Sequence, residues 1–159
     1  MAGRLVRLFT SACGRPRPCR ALHAHAHAHV HAHETLAGPF GIGRGIHLGD
    51  TIIGTKGRVA FEAPAAEVLL NAHRELEKLV LSARQQRVKE MLAGPYGDWV
   101  HEGQLLDPVC RDIEALFVNS QQRVTGVVNV LFRPGSVFVE GVDSDYSLMA
   151  ASKGVYGEA

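Results

Sequence analysis

Between residues 50 and 62 the sequence DTIIGTKGRVAFE sets Asp50, Lys56, Arg58 and Glu62 among β-branched residues. Carboxylates and cations flanking short strands can hold a zwitterionic amino acid through charge-assisted hydrogen bonds. The same residues also read as a charged strand edge, which blocks edge-to-edge pairing. The residues alone leave both readings open. Elsewhere the chemistry comes in pieces. His101-Glu102 puts a base beside an acid, but the second histidine of H-E-x-x-H is absent, so a zinc protease is excluded and the pair reads as structural or interfacial. His73 lies beside an apolar stripe and reads as a helix-boundary or interface residue. The G-x-S-x-G elbow and the phosphate-binding G-x-x-x-x-G-K-[ST] loop are both absent, and no serine is followed by Gly-Gly. GIGRG is not a dinucleotide fingerprint, because Ile46 occupies its third glycine position.

No catalytic residue and no metal site is assigned. Cys13, Cys19 and Cys110 form no C-x-x-C pair, and an odd cysteine count fits a reducing compartment better than a disulfide framework. Cys110 falls in an apolar helical pattern and reads as a buried thiol. His23, His25, His27, His29, His31 and His33 alternate with Ala or Val. Extended backbone would put all six imidazoles on one face, where they could take up zinc, nickel or copper. Nothing in the sequence fixes that backbone, and a simple nucleotide repeat encodes the same alternation, which is the preferred reading.

The elements that must carry the charged cluster follow from periodicity and punctuation. Gly41, Gly43 and Gly45 mark a turn. Residues 50–62 read as two short strands or one bulged strand, with Gly54 and Gly57 interrupting. Pro64 suits a first helical turn. Leu69, Ala72, Leu76, Leu79 and Val80 then mark a buried helix face, with Glu67, Arg74, Glu75, Glu77 and Lys78 on the solvated side. Ser82-x-x-Gln85 is a capping box, which starts a second helix near residue 83. That helix is expected to stop at Gly94-Pro95. Asp107-Pro108 starts a third, with Val109, Ile113, Leu116 and Phe117 on its apolar face. Val124–Phe132 and Val137–Val142 flank Arg133-Pro134-Gly135-Ser136, a type II turn sequence, and form a β-hairpin. The expected fold is α+β: short N-terminal strands, two to three helices and a C-terminal β-hairpin, preceded by a disordered tail.

Two domains of unequal kind are expected: a disordered basic and His-rich tail over residues 1–40, and a folded part over 41–159. The chain has 159 residues and net charge +1, but residues 1–40 carry +4 and the remainder −3. Balanced charge argues against nucleic acid as a partner. No apolar run approaches the length of a membrane span. The Arg-rich, acid-free residues 1–22 resemble a mitochondrial presequence, so mitochondrial targeting stands beside a cytoplasmic location.

GIHLGDTIIGTKGRVAFEAPA, NAHRELEKLVL and YGDWVHEGQLLDPVCRDIEALFVNSQQRVTG resemble, in order and spacing, the C-terminal part of argininosuccinate synthase. The likeness runs from about Gly41 to the final YGE. It implies an ATP-dependent carbon–nitrogen ligase of arginine biosynthesis and the urea cycle. Members condense citrulline with aspartate through a citrullyl-adenylate, with Mg-ATP as co-substrate, and assemble as homotetramers. They carry a nucleotide-binding domain with a Ser-Gly-Gly pyrophosphate loop ahead of the synthetase domain. That loop is absent from this sequence, so the isolated chain is expected to be inactive. Lys56 and Arg58 match the family's Lys-x-Arg, and with Asp50 they are the expected substrate-binding residues. The citrulline-binding Glu and Tyr of better-known branches fall on Gly49 and Phe61, which do not match; Asp50 offers a carboxylate one residue later. The alternative is a non-catalytic oligomerisation or interaction module that keeps the synthetase fold. DTIIGTKGRVAFE is expected to promote self-association, with Ile53 as its test position.

Overall fold

A computed structural model describes residues 4–11, 30–50 and 54–151. Its elements run β1 (Arg4–Ser11), α1 (residues 30–37), a 3₁₀ turn (Gly38–Phe40), β2 (Arg44–Asp50), β3 (Lys56–Glu62), α2 (Pro64–Val80), α3 (Ala83–His101), α4 (Pro108–Ser120), a 3₁₀ turn (Gln121–Arg123), β4 (Thr125–Arg133) and β5 (Ser136–Asp143). The fold is α+β, with one sheet ordered β1-β4-β5 and a separate two-stranded ribbon of β2 and β3. Among the described residues no helix is long and apolar enough to cross a membrane.

Two elements fall inside the first forty residues. β1 lies beside β4, and Leu8 within it is buried. Residues 30–37 are helical, so His31 and His33 sit on different sides of the helix rather than in an extended row. His33 is buried, whereas His31 is exposed and its carbonyl accepts from Thr35 Oγ1 at 2.9 Å. His23, His25, His27, His29, Cys13, Cys19 and Ile53 lie outside the described residues.

The contacts divide the chain into two compact units. The first holds the ribbon, the start of α2 and the turn end of β4 and β5. Ile42, Ala65, Val68, Ala72, Val128, Val130 and Phe132 are buried there. The Phe40 and Phe132 rings meet at 5.9 Å, and the Gly135 N–H donates to the Phe40 carbonyl at 2.8 Å. Gly135 has φ 74°, as the second central residue of a type II turn requires.

The second unit holds the rest of α2, then α3 and α4, with Leu76, Val80, Leu81, Cys110, Ile113 and Val124 buried. Removing a side chain such as Leu76 from water contributes about 1.5–3 kcal/mol. The capping box forms as expected: Gln85 N–H donates to Ser82 Oγ, and Ser82 N–H to Gln85 Oε1. Asp107 caps α4 by accepting from the Val109 N–H at 3.0 Å.

Three expectations need correction. The helix from Ala83 does not stop at Gly94-Pro95; it continues to His101 with Pro95 inside it. Proline removes one helical hydrogen bond, but Gly94 and Pro95 are exposed, so solvent can satisfy the orphaned carbonyl. The stop comes at Gly103, whose φ of 78° is left-handed. There the Gln104 N–H bonds the Trp99 carbonyl and the Gly103 N–H the Val100 carbonyl, a Schellman motif. Glu77, assigned to a solvated face, is buried. Finally, the first ribbon strand begins at Arg44, ahead of the expected start at Asp50.

Candidate functional site

The charged cluster lies on the ribbon. Its strands pair antiparallel, Arg44 opposite Glu62, Leu48 opposite Arg58 and Asp50 opposite Lys56. Opposed residues share a face and alternate residues return to it. Positions 44, 46, 48, 50, 56, 58, 60 and 62 therefore occupy one face, and Gly45, His47, Gly49, Gly57, Val59 and Phe61 the other.

This register brings together Asp50, Lys56 and Arg58, the three expected substrate-binding residues, at the tip of one face. Lys56 and Arg58 are exposed. Glu62 is not part of that group. It stands six residues from Lys56, about 20 Å along an extended strand. There Arg44 Nε donates to its Oε1 at 3.0 Å. Both side chains of that pair are more than half exposed, so the bridge adds little stability.

The register also separates what the sequence seemed to group. Gly49 and Phe61, the positions on which the resemblance sets the citrulline contacts of other branches, lie on the face opposite Lys56 and Arg58. The Phe61 ring reaches across to Gly45, and a Cβ added there would meet Phe61 Cζ at 2.8 Å. Phe61 also borders a cleft of ≈ 300 Å³ at the ribbon's base, with Arg44, Glu67, Leu70 and Ser136 in its lining. Ile46, Leu48, Val59 and Phe61 are 49–67% exposed, so the ribbon shows apolar side chains on both faces.

The other sequence candidates do not join the ribbon's charged tip. His101 ends α3, and Glu102 caps it through a backbone N–H to the Asp98 carbonyl. The Glu102 side chain accepts from Gln104 Nε2 at 3.1 Å. These residues help to stop a helix. Cys110 is buried, its Sγ donating to the Gln104 carbonyl at 3.6 Å. Tyr96, which lies beyond the helix end expected at Gly94-Pro95, is helical and donates from its hydroxyl to Glu114 Oε1 at 2.9 Å. That bond, followed by desolvation and the Glu114 charge, raises the Tyr96 pKa above 10.0, with Arg111 opposing. Arg111 also bonds Glu114 at 2.6 Å and the Leu105 carbonyl at 2.9 Å, tying the loop before α4 to its first turns.

A family model described as the arginosuccinate synthase C-terminal domain matches residues 14–159. The chain belongs to the argininosuccinate synthase family. The argininosuccinate synthase of Xanthomonas campestris pv. campestris is 45% identical over 117 residues, covering 74% of this chain and 30% of the relative. The archaeal argininosuccinate synthase of Methanocaldococcus jannaschii is 42% identical over 113 residues, covering 71% and 29%. That of Synechocystis sp. is 37% identical over 122 residues, covering 77% and 30%. The chain thus spans about 30% of the length of these relatives.

ATP and Mg²⁺ are used by the family. The sequence contains no Ser-Gly-Gly loop. Among the described residues no group of three His, Cys, Asp or Glu could hold a metal ion.

Proposed function

We infer that this chain serves as the synthetase-domain portion of an argininosuccinate synthase, contributing the citrulline side of a ligation with aspartate in arginine biosynthesis. The observation that carries this is the ribbon: a Lys-x-Arg strand whose Lys56 and Arg58 stand exposed beside position 50, in a chain of this family. Lys56 and Arg58 supply cationic donors to the carboxylate of an amino acid, and Asp50 an acceptor for its ammonium group. Adenylyl transfer depends on donors arranged around phosphates, and the sequence holds no Ser-Gly-Gly loop for that task. The working location on this reading is cytoplasmic, and the working form a homo-oligomer.

The test has two halves. The 159-residue polypeptide with citrulline, aspartate and Mg-ATP is expected to make no argininosuccinate. Adding the nucleotide-binding domain of the Xanthomonas relative is expected to give product, and Lys56→Ala or Arg58→Ala to reduce it at least tenfold. Product from the polypeptide alone, or none from the mixture, refutes the reading.

One observation favours a second reading, an interaction module with no chemistry of its own. The ribbon's apolar side chains are uncovered on both faces, and uncovered apolar strands template association. On this reading Val59→Lys, like Ile53→Lys in the adjoining segment, shifts the chain toward monomer in sedimentation. A wild-type chain that sediments as a monomer at high concentration rules it out.

A further inference from the structure

β4 has the sequence and the burial of an inner strand. From Thr125 to Phe132 it carries no charged residue and no proline. Val128, Val130 and Phe132 are buried, and the residues between them are half-buried. Charge and proline are two of the devices that keep an open strand edge from pairing with another chain. Thr125–Phe132 has neither, so both of its edges need a neighbour. β5 covers one of them and β1 the other.

β1 is a strand of the opposite kind. Arg4 and Arg7 place charge on it, and Arg7 is exposed. Leu8 is buried in the same compact unit as Val128, Val130 and Phe132. A strand with an apolar anchor and exposed charge can end a sheet, as β1 does here. β1 also lies ahead of the family domain, whose match begins at residue 14. The inner strand is therefore family sequence, and the strand that closes its edge is not. No tight turn imposes the pairing, since β1 and β4 stand at opposite ends of the sequence. It rests on main-chain hydrogen bonds and on the burial of Leu8.

We propose that the outer edge of β4 is a strand-docking surface of this domain, and that residues 4–11 occupy it as a detachable cover. The docking is β-augmentation within one chain: the backbone supplies affinity, and the side chain of Leu8 supplies the anchor. When the cover is withdrawn, the edge pairs with the same edge of a second copy. Two β4 strands set antiparallel about Asn129 place Arg133 of each copy opposite Thr125 of the other, so no like charges meet. β1 prevents that pairing for as long as it stays in place.

The test uses the full chain with Leu8→Lys, read by amide hydrogen exchange and by sedimentation. Exchange across β4 should quicken at least about tenfold, because burying a leucine outweighs one tenfold step in an opening equilibrium. Amides of α3 and α4 should keep their rates, and the sedimenting mass should rise above that of the parent. A synthetic peptide of residues 4–11, added in excess, should restore both readings, and the same peptide carrying Leu8→Lys should restore neither. Association through β2 and β3 does not respond to that peptide, which separates the two surfaces. If α3 and α4 also lose protection, the milder Leu8→Ala provides the readout. Equal β4 exchange in parent and variant overturns the proposal, and so does a loosened β4 that neither self-associates nor takes up the peptide.

Discussion

Removing the Glu77 carboxylate should expose how the second unit is held together. Lys89 of α3 forms an ion pair with Glu77 Oε1, and Gln121 Nε2 donates to the same oxygen. One carboxylate thus joins α2, α3 and the turn after α4. The Glu77 side chain is 10% exposed and that of Lys89 28%. A hydrogen bond to a charged group contributes about 1.5–3 kcal/mol, and an amide left without its acceptor adds about 1 kcal/mol of cost. Lys89 keeps partial access to water and recovers some hydration, which trims the sum. Glu77→Ala should therefore destabilise the chain by about 2–3 kcal/mol. With a urea slope of about 1–3 kcal/mol per molar, the midpoint falls by roughly 0.7–3 M. Glu77→Leu with Lys89→Met should cost less than Glu77→Leu alone, because no charge is left behind unpaired. Urea denaturation followed by circular dichroism reads all of these variants. A Glu77→Ala midpoint within 0.3 M of the parent, or a double variant as unstable as the two single losses added, would refute the reasoning.

Two further outcomes come from single contacts. The native chain holds the Tyr96 proton more tightly than the unfolded chain, because the hydroxyl donates to Glu114. The resulting stability is complete below the unfolded value near pH 10 and is lost as pH rises through the raised native value. Tyr96→Phe should remove both the late-titrating tyrosinate absorbance and that part of the alkaline decline; an unchanged titration curve counts against the bond. At Gly126 an added Cβ would collide with the Asp143 carbonyl oxygen and lie 2.9 Å from Leu76 Cδ1. Gly126→Ala should cost about 1–3 kcal/mol through overpacking, and a melting temperature equal to the parent's would show that the strands part freely there.

What could be read in the sequence was what neighbours along the chain decide. The Ser82–Gln85 box, the Asp107 cap and the Pro134-Gly135 turn each close within four residues, and each forms as read. Readings failed where a distant partner decides. Glu77 looks like a solvated helix residue until Lys89 and Gln121, 12 and 44 positions away, come to it. Pro95 looks like a helix end until the exposed turn around it and the Gly103 stop let α3 run through. In the candidate site, Lys56 and Arg58 were legible as strand residues with exposed charge. That Gly49 and Phe61 face the other way was not, because the register across the ribbon sets it.

Among its described residues, the ribbon buries no side chain; only its glycines are half-buried. A two-stranded ribbon without a covered face is marginal in water, so its backbone hydrogen bonds should open locally, at a free energy well below that of the whole chain. Ligand affinity at the ribbon then includes the cost of keeping the strands zipped. Apparent affinity scales with the fraction of molecules in which they are paired. Substitutions that alter strand pairing without touching a ligand will therefore change binding as surely as substitutions in the contacts themselves, and amide exchange across β2 and β3 will slow when a ligand arrives.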